Sequence, residues 1–166
     1  MTLSAARAFD RQDAPVQAIA AYEIAIAAGE YDLAVLLDLV ALYFTVLDPG
    51  YAAAKGVSGP LRDGGFLRLQ ELLGLAQTRY GRREEVEFWQ LFSRERVLAQ
   101  EIEPSQYLAL IREDFLWPCL PLYVKSGGRD WVDEMTRLIR DADSATARGR
   151  LLLSYLPLRE FPPRRE

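Results

Sequence analysis

Three pairs of carboxylates stand side by side in this chain: Glu84 and Glu85, Glu113 and Asp114, Asp133 and Glu134. Two carboxyl groups in unlike surroundings are the raw material of acid–base chemistry, one kept protonated and the other ionised. On a helix, however, sequence neighbours point about 100° apart and do not face each other. An acid–base dyad would therefore have to be assembled from distant residues. Histidine is absent from the 166 residues. That removes the usual general base, the common nucleophile triads and the usual zinc and copper ligands. Cys119 is the only cysteine, so neither an intrachain disulfide nor a cysteine-based zinc site can form. It lies in "FLWPCLPLY" with no base nearby in sequence, as an inert buried thiol would. No Asp-rich loop with its Gly turn offers oxygen ligands for calcium. No catalytic, cofactor-binding or metal-binding residue is expected, and the reading is non-enzymatic.

Phosphate and nucleic-acid chemistry fare no better. "DPGYAAAKGVSGPLRDGGF" (48–66) and "KSGGRDW" (125–131) are rich in glycine, but neither has G-K-[ST] in register after a strand, as a phosphate cradle needs. The first reads as a frayed helix followed by a loop. The second reads as a turn in which Ser126 or Asp130 caps the next helix. "YGRREEVEFWQLFSRERV" mixes four arginines with Phe88, Trp89 and Phe92, a combination that can stack bases. The interleaved Glu84, Glu85, Glu87 and Glu95 cancel the attraction for phosphate, and Trp89 and Phe92 read as core. The net charge of −4 points the same way, since nucleic acid usually wants a concentrated basic face. No nucleic-acid partner is expected.

The elements carrying these residues are helices. In "APVQAIAAYEIAIAAGEY", Ala18, Tyr22, Ala25 and Ile26 recur at helical spacing and Gly29 supplies a stop. "FLRLQELLGLAQTRYG" ends on Gly81. "RREEVEFWQLFSRERVLAQEI" follows, and "EPSQYLALIREDF" opens with a first-turn proline. "RDWVDEMTRLIRDA" puts Trp131, Met135, Leu138 and Ile139 on one face, and "ATARGRLLLSYL" closes the set. No sustained period-two alternation appears. The expected fold class is all-α. "MTLSAARAFDRQ" lacks the basic and apolar regions of a signal peptide, and no uncharged apolar run reaches about 18 residues. The expectation is a cytoplasmic protein with no membrane partner. The cations are arginine except for Lys55 and Lys125, a bias that suggests a GC-rich bacterial genome.

A period runs through the first half. Ala5-Ala6 followed by Phe9 is matched 34 residues later by Leu39-Val40 followed by Tyr43, with Leu36 before it. Further steps land on Leu73-Gly74 and on Tyr107-Leu108 with Ile111. After the first helix comes Ala18-x3-Tyr22-x2-Ala25. At these residues the chain resembles the tetratricopeptide repeat, whose 34-residue helix pair carries W-x2-L-G-x2-Y and then A-x3-F-x2-A. Small residues let the helices of a hairpin approach, and aromatics fill the space between hairpins. The match is good over 2–46 and rests on phase alone over 47–127: Gly56 and Gly59 replace an aromatic and an alanine, and Gln77 replaces another aromatic. A plain helical bundle with coincidental spacing is the alternative.

The resemblance implies stacked antiparallel hairpins over 1–103, then C-terminal helices over 104–166 (the first of them a candidate fourth degenerate repeat) and a short polar tail, "LPLREFPPRRE". It also implies a concave face that receives a polypeptide. In "DLAVLLDLVALYFTVLDPGY" (32–51), Leu36, Leu39, Val40 and Tyr43 would pack inward, leaving Leu37, Asp38, Ala41 and Phe44 as the candidate partner-binding residues. Packing of that second stripe against the C-terminal helices or the Gly-rich loop is the competing expectation. Without Lys, Arg or Asn on this face, a carboxylate clamp for chaperone tails is not expected; an apolar or amphipathic segment is. The size and plan resemble secretion chaperones and toxin-neutralising immunity proteins. The alternative to such a binding role is self-assembly into a homodimer through solenoid ends or aromatic patches, and an enzyme of unrecognised type is the remote one.

Overall fold

The computed structural model describes residues 2–156. The tail beyond Leu156, expected to be polar and frayed, lies outside the described residues. Among those residues the chain forms ten α-helices and no strand, the one β-type contact being an isolated antiparallel bridge between Arg112 and Phe115. No helix among them is long and apolar enough to cross a membrane.

Helix α1 (Leu3–Arg11) and α2 (Pro15–Ala27) form the first hairpin. Pro15 occupies the first turn of α2, where its missing N–H costs nothing. Gly29, at φ +78, ends it as expected. Asp32 then caps α3 (Leu33–Val46), accepting a hydrogen bond from the Val35 N–H at 2.9 Å.

Helix α3 is the centre of the molecule. Eleven of its fourteen residues are buried, as befits a helix that is apolar all round. It packs against α2, α4 (Pro49–Ala54), α5 (Gly59–Tyr80), α6 (Glu84–Val97) and α10 (Ala147–Ser154). Its closest companion after the turn is α5, so the segment at 48–66 departs from the expected frayed helix and loop. Asp48 caps the short α4, and Ser58 starts α5 by accepting from the Leu61 N–H. Residues 59–66 are therefore the first two turns of a 22-residue helix. Gly65 is buried there; a Cβ on it would stand 3.3 Å from the Leu47 Cδ2 and 3.6 Å from the Tyr43 ring. Its glycine lets α5 approach α3 closely.

The C-terminal part is more broken than expected. The helix opened by Pro104, α7, ends at Leu108 and gives way to the turn closed by Arg112 and Phe115. Helix α8 (Cys119–Lys125) starts after Pro118, and α9 (Val132–Asp141) follows. Neither Ser126 nor Asp130 caps α9. The Ser126 hydroxyl accepts instead from the Arg129 and Asp130 N–H groups within the preceding turn, and Trp131 enters α9 at φ +67. Met135 and Leu138 of α9 are buried, as the helical spacing predicts.

Helix α10 folds back across α3 and meets the first hairpin. Arg148 pairs with Asp38 at 2.6 Å, and Arg150 pairs with Asp10 at 2.9 Å. Asp10 also accepts from the Ala147 N–H at 2.8 Å, so an N-terminal carboxylate satisfies the first turn of the last helix. Between α3, α6 and the 115–117 segment lies an aromatic core. Phe44 and Phe88 each stack on Phe92 with centroids 5.3 Å apart, and Trp117 lies 6.0 Å from both Phe88 and Trp89.

Candidate functional site

Leu37, Asp38, Ala41 and Phe44 do lie together along α3, but they do not form an open face. Leu37 is 3% exposed, Asp38 9%, Ala41 0% and Phe44 8%. Phe44 is held between Phe92 at 5.3 Å and Trp89 at 6.0 Å, both on α6. Asp38 is neutralised by Arg148 of α10. The competing expectation describes part of what is seen: α10 packs on α3 and holds Asp38, whereas Phe44 packs on α6. The physical reason is burial itself, since a second apolar stripe left in water would forgo roughly 25 cal/mol for each Å² that α10 and α6 now cover.

The carboxylates around α10 show strong environmental effects. Burial raises the Asp38 pKa above its ordinary value, and the Arg148 charge and hydrogen bond offset this only in part. Burial does the same at Asp10 against Arg150. Both are structural ion-pair partners inside the fold. Cys119 is fully buried, and burial pushes its thiol up to about 12, which fits the inert role expected of it. Among the described residues no group of three His, Cys, Asp or Glu side chains converges as metal ligands would.

Open concave surface is found on the other side of α6. One cleft, of about 560 Å³, lies between α6 and α7. Its charges are largely spent on each other: Arg82 pairs with Glu87, Arg112 with Glu84 at 3.0 Å, and Arg94 donates to Gln100 at 2.9 Å.

The second cleft, of about 460 Å³, is built by the first turn of α6, the 112–117 turn, the end of α9 and the start of α10. The turn matters most. Phe115 donates its N–H to the Arg112 carbonyl at 3.1 Å and accepts from the Arg112 N–H at 3.2 Å, so Glu113 and Asp114 form a two-residue tip. This adjacent carboxylate pair is thus on a tight turn and not on a helix, and both residues are exposed. Phe115, Leu116 and Trp117 follow as a half-buried wall anchored on Phe88, 6.1 Å from Phe115 and 6.0 Å from Trp117. Leu138 faces the same space.

Charge in this second cleft is unbalanced. Asp143 pairs with Arg11 at 3.0 Å and Asp141 with Arg140 at 3.0 Å, while Arg148 is taken by Asp38. Among the described residues, Glu85, Glu113 and Asp114 have no cationic partner, and they face the single guanidinium of Arg137. That guanidinium donates to the Glu113 carbonyl at 3.4 Å. Such a site has an aromatic wall and surplus negative charge.

Little of this cleft follows from the sequence. "REDFLWP" carries both the carboxylates and the rings, but helical spacing continues the helix opened by Pro104 through Phe115, and "FLWPCLPLY" reads first as a wedge seating the last helices and only second as an exposed patch. The contribution of α9 and α10 was not visible, because it comes from residues 20 to 35 positions further on, through tertiary packing that no local spacing encodes.

No protein-family model, no curated protein and no solved structure matches this chain.

Proposed function

We propose that this protein is a non-enzymatic binding module for a polypeptide partner, and that the partner sits in the cleft bounded by Glu85, the Glu113–Asp114 tip, Trp117 and the α9–α10 junction. The observation that carries this reading is the cleft itself: a half-buried aromatic wall beside carboxylates with no cationic partner among the described residues. Binding surfaces typically place aromatic anchors at their centre with polar groups around them. The absence of histidine and the burial of Cys119 support a non-catalytic role. Chaperone, adaptor and immunity roles all fit a module of this kind.

The tetratricopeptide-like reading belongs to the same proposal for residues 3–46. In its support, α1 and α2 form a hairpin, Tyr22 is buried against it, and Tyr43 on the following helix donates its hydroxyl to Glu23 at 2.8 Å. After α3 the short α4 and long α5 depart from an even repeat.

A photo-crosslinking residue placed at Asp114 in the native host tests the binding site, with a second placed at exposed Glu30 as control. The expected result is a discrete protein adduct from position 114 and not from position 30. No adduct at 114, or the same adducts from both positions, overturns the reading.

A further inference from the structure

We infer that the segment received by this cleft presents an arginine, whose guanidinium lies against the Trp117 and Phe115 rings and meets Glu85, Glu113 and Asp114. This deepens the binding role just proposed and rests on it. The sign of the charge comes first. Three carboxylates without cationic partners among the described residues face one guanidinium, so an anionic segment would be repelled and a neutral one would leave the surplus unanswered. Arg137 is held at the rim by the Glu113 backbone carbonyl, and it balances one carboxylate of the three.

The shape of the cation comes second. A guanidinium is planar, is weakly hydrated for a cation and can hydrogen-bond in its plane while its face rests on a ring; an ammonium is a compact, strongly hydrated point charge. The wall of this cleft is aromatic and its rim carries carboxylates, so both halves of the guanidinium's chemistry find a match. The chain treats its own arginines in this way. Arg79 lies over the Tyr31 ring at 4.4 Å, and Arg96 lies over the Tyr155 ring at 4.7 Å while donating to its hydroxyl.

The third consideration is that this charge is local. In the neighbouring cleft between α6 and α7 the carboxylates Glu84 and Glu87 are each matched by an arginine of the chain. The same first turn of α6 thus presents Glu84 to an internal arginine on one side and Glu85 to open space on the other. An arginine arriving from outside would complete the arrangement at Glu85 that Arg112 already provides at Glu84.

The test is fluorescence anisotropy on the full chain with a dye-labelled decapeptide of Arg, Leu and Gly, against the same peptide with Gln in place of Arg. The arginine peptide is expected to bind about tenfold or more tightly than the glutamine peptide. The triple variant Glu85→Gln/Glu113→Gln/Asp114→Asn should lose that preference without lowering the thermal midpoint. A triple variant with the same charge change elsewhere, Glu30→Gln/Glu101→Gln/Glu103→Gln, should keep it. Equal loss in the distant variant overturns the inference, since it would show attraction to net charge alone. So does a requirement to neutralise Arg159, Arg164 and Arg165 before the peptide binds, which would make the chain's own tail the occupant. Capture of a partner at position 114 combined with equal affinity for the two peptides overturns the arginine assignment and leaves the binding role standing.

Discussion

Asp38 and Glu23 lie one helix apart and respond to burial in opposite ways. At both, burial is the largest single influence and pushes the pKa up. At Glu23 the hydrogen bonds from Arg68, at 2.7 and 2.8 Å, and from Tyr43 together with the Arg68 charge outweigh it, and the carboxyl titrates below its ordinary value of 4.5. At Asp38 the Arg148 pair does not outweigh it, nearby Asp10 adds repulsion, and the carboxyl titrates above 3.8. Linkage fixes the signs. Glu23 contributes stability that is present above 4.5 and is lost as pH falls through its depressed folded value, because the unfolded chain binds the proton first. Asp38 holds its proton longer when folded, so its contribution falls as pH rises from 3.8 through its raised value. Urea unfolding between about pH 3 and pH 7 should show the penalty of Glu23→Gln growing with pH and that of Asp38→Asn shrinking. Parallel curves for the two variants would contradict this reading. In the sequence Asp38 looked like a charge offered to a partner. Its actual partner, Arg148, lies 110 positions later, and helical periodicity carries no information about so distant a contact.

Among the elements, α10 and α5 show how much depends on single glycines. A Cβ at Gly149 would stand 2.6 Å from the Asp143 carbonyl carbon and 2.9 Å from the Ser144 Cα, both backbone atoms that cannot swing away. Gly74, on the exposed side of α5, meets nothing within 4 Å. Gly149→Ala should therefore destabilise by roughly 1–3 kcal/mol by forcing the start of α10 off the 143–146 turn. Gly74→Ala should stabilise by about 0.5–1 kcal/mol through helix propensity and a stiffer unfolded chain. Chemical unfolding of the two variants checks both signs. From sequence the glycines at 59, 64 and 65 looked like breakers, whereas α1, α2, α3 and α6 were legible from periodicity and end signals. The difference is tertiary. Ser58 and Pro60 set the start of α5, and close packing on Tyr43 and Leu47 rewards a glycine at 65 that propensity alone penalises. The turn at 112–115 was missed for a related reason. Its residues suit a helix, but Arg112 and Phe115 pair across the tip while Phe115 packs on Phe88.

For the whole molecule, the difference is between a row and a centre. A solenoid stacks each hairpin on its neighbours and leaves a continuous concave face. Here α3 is enclosed by helices from both ends of the chain, and α10 returns to the first hairpin through Asp10 and Asp38. That closure buries the α3 stripe and leaves the exposed Glu113–Asp114 tip, beside half-buried Trp117, as the surface proposed above for binding. Thiol labelling tests the enclosure of α3 most directly. In a Cys119→Ala background, an Ala41→Cys variant and an Asp114→Cys variant are each exposed to a maleimide under native conditions. The thiol at 114 should label at the rate of a free peptide, and the one at 41 only as fast as the molecule unfolds. Rapid labelling at 41 in the folded protein would mean that α3 faces solvent, and the enclosed centre would be wrong.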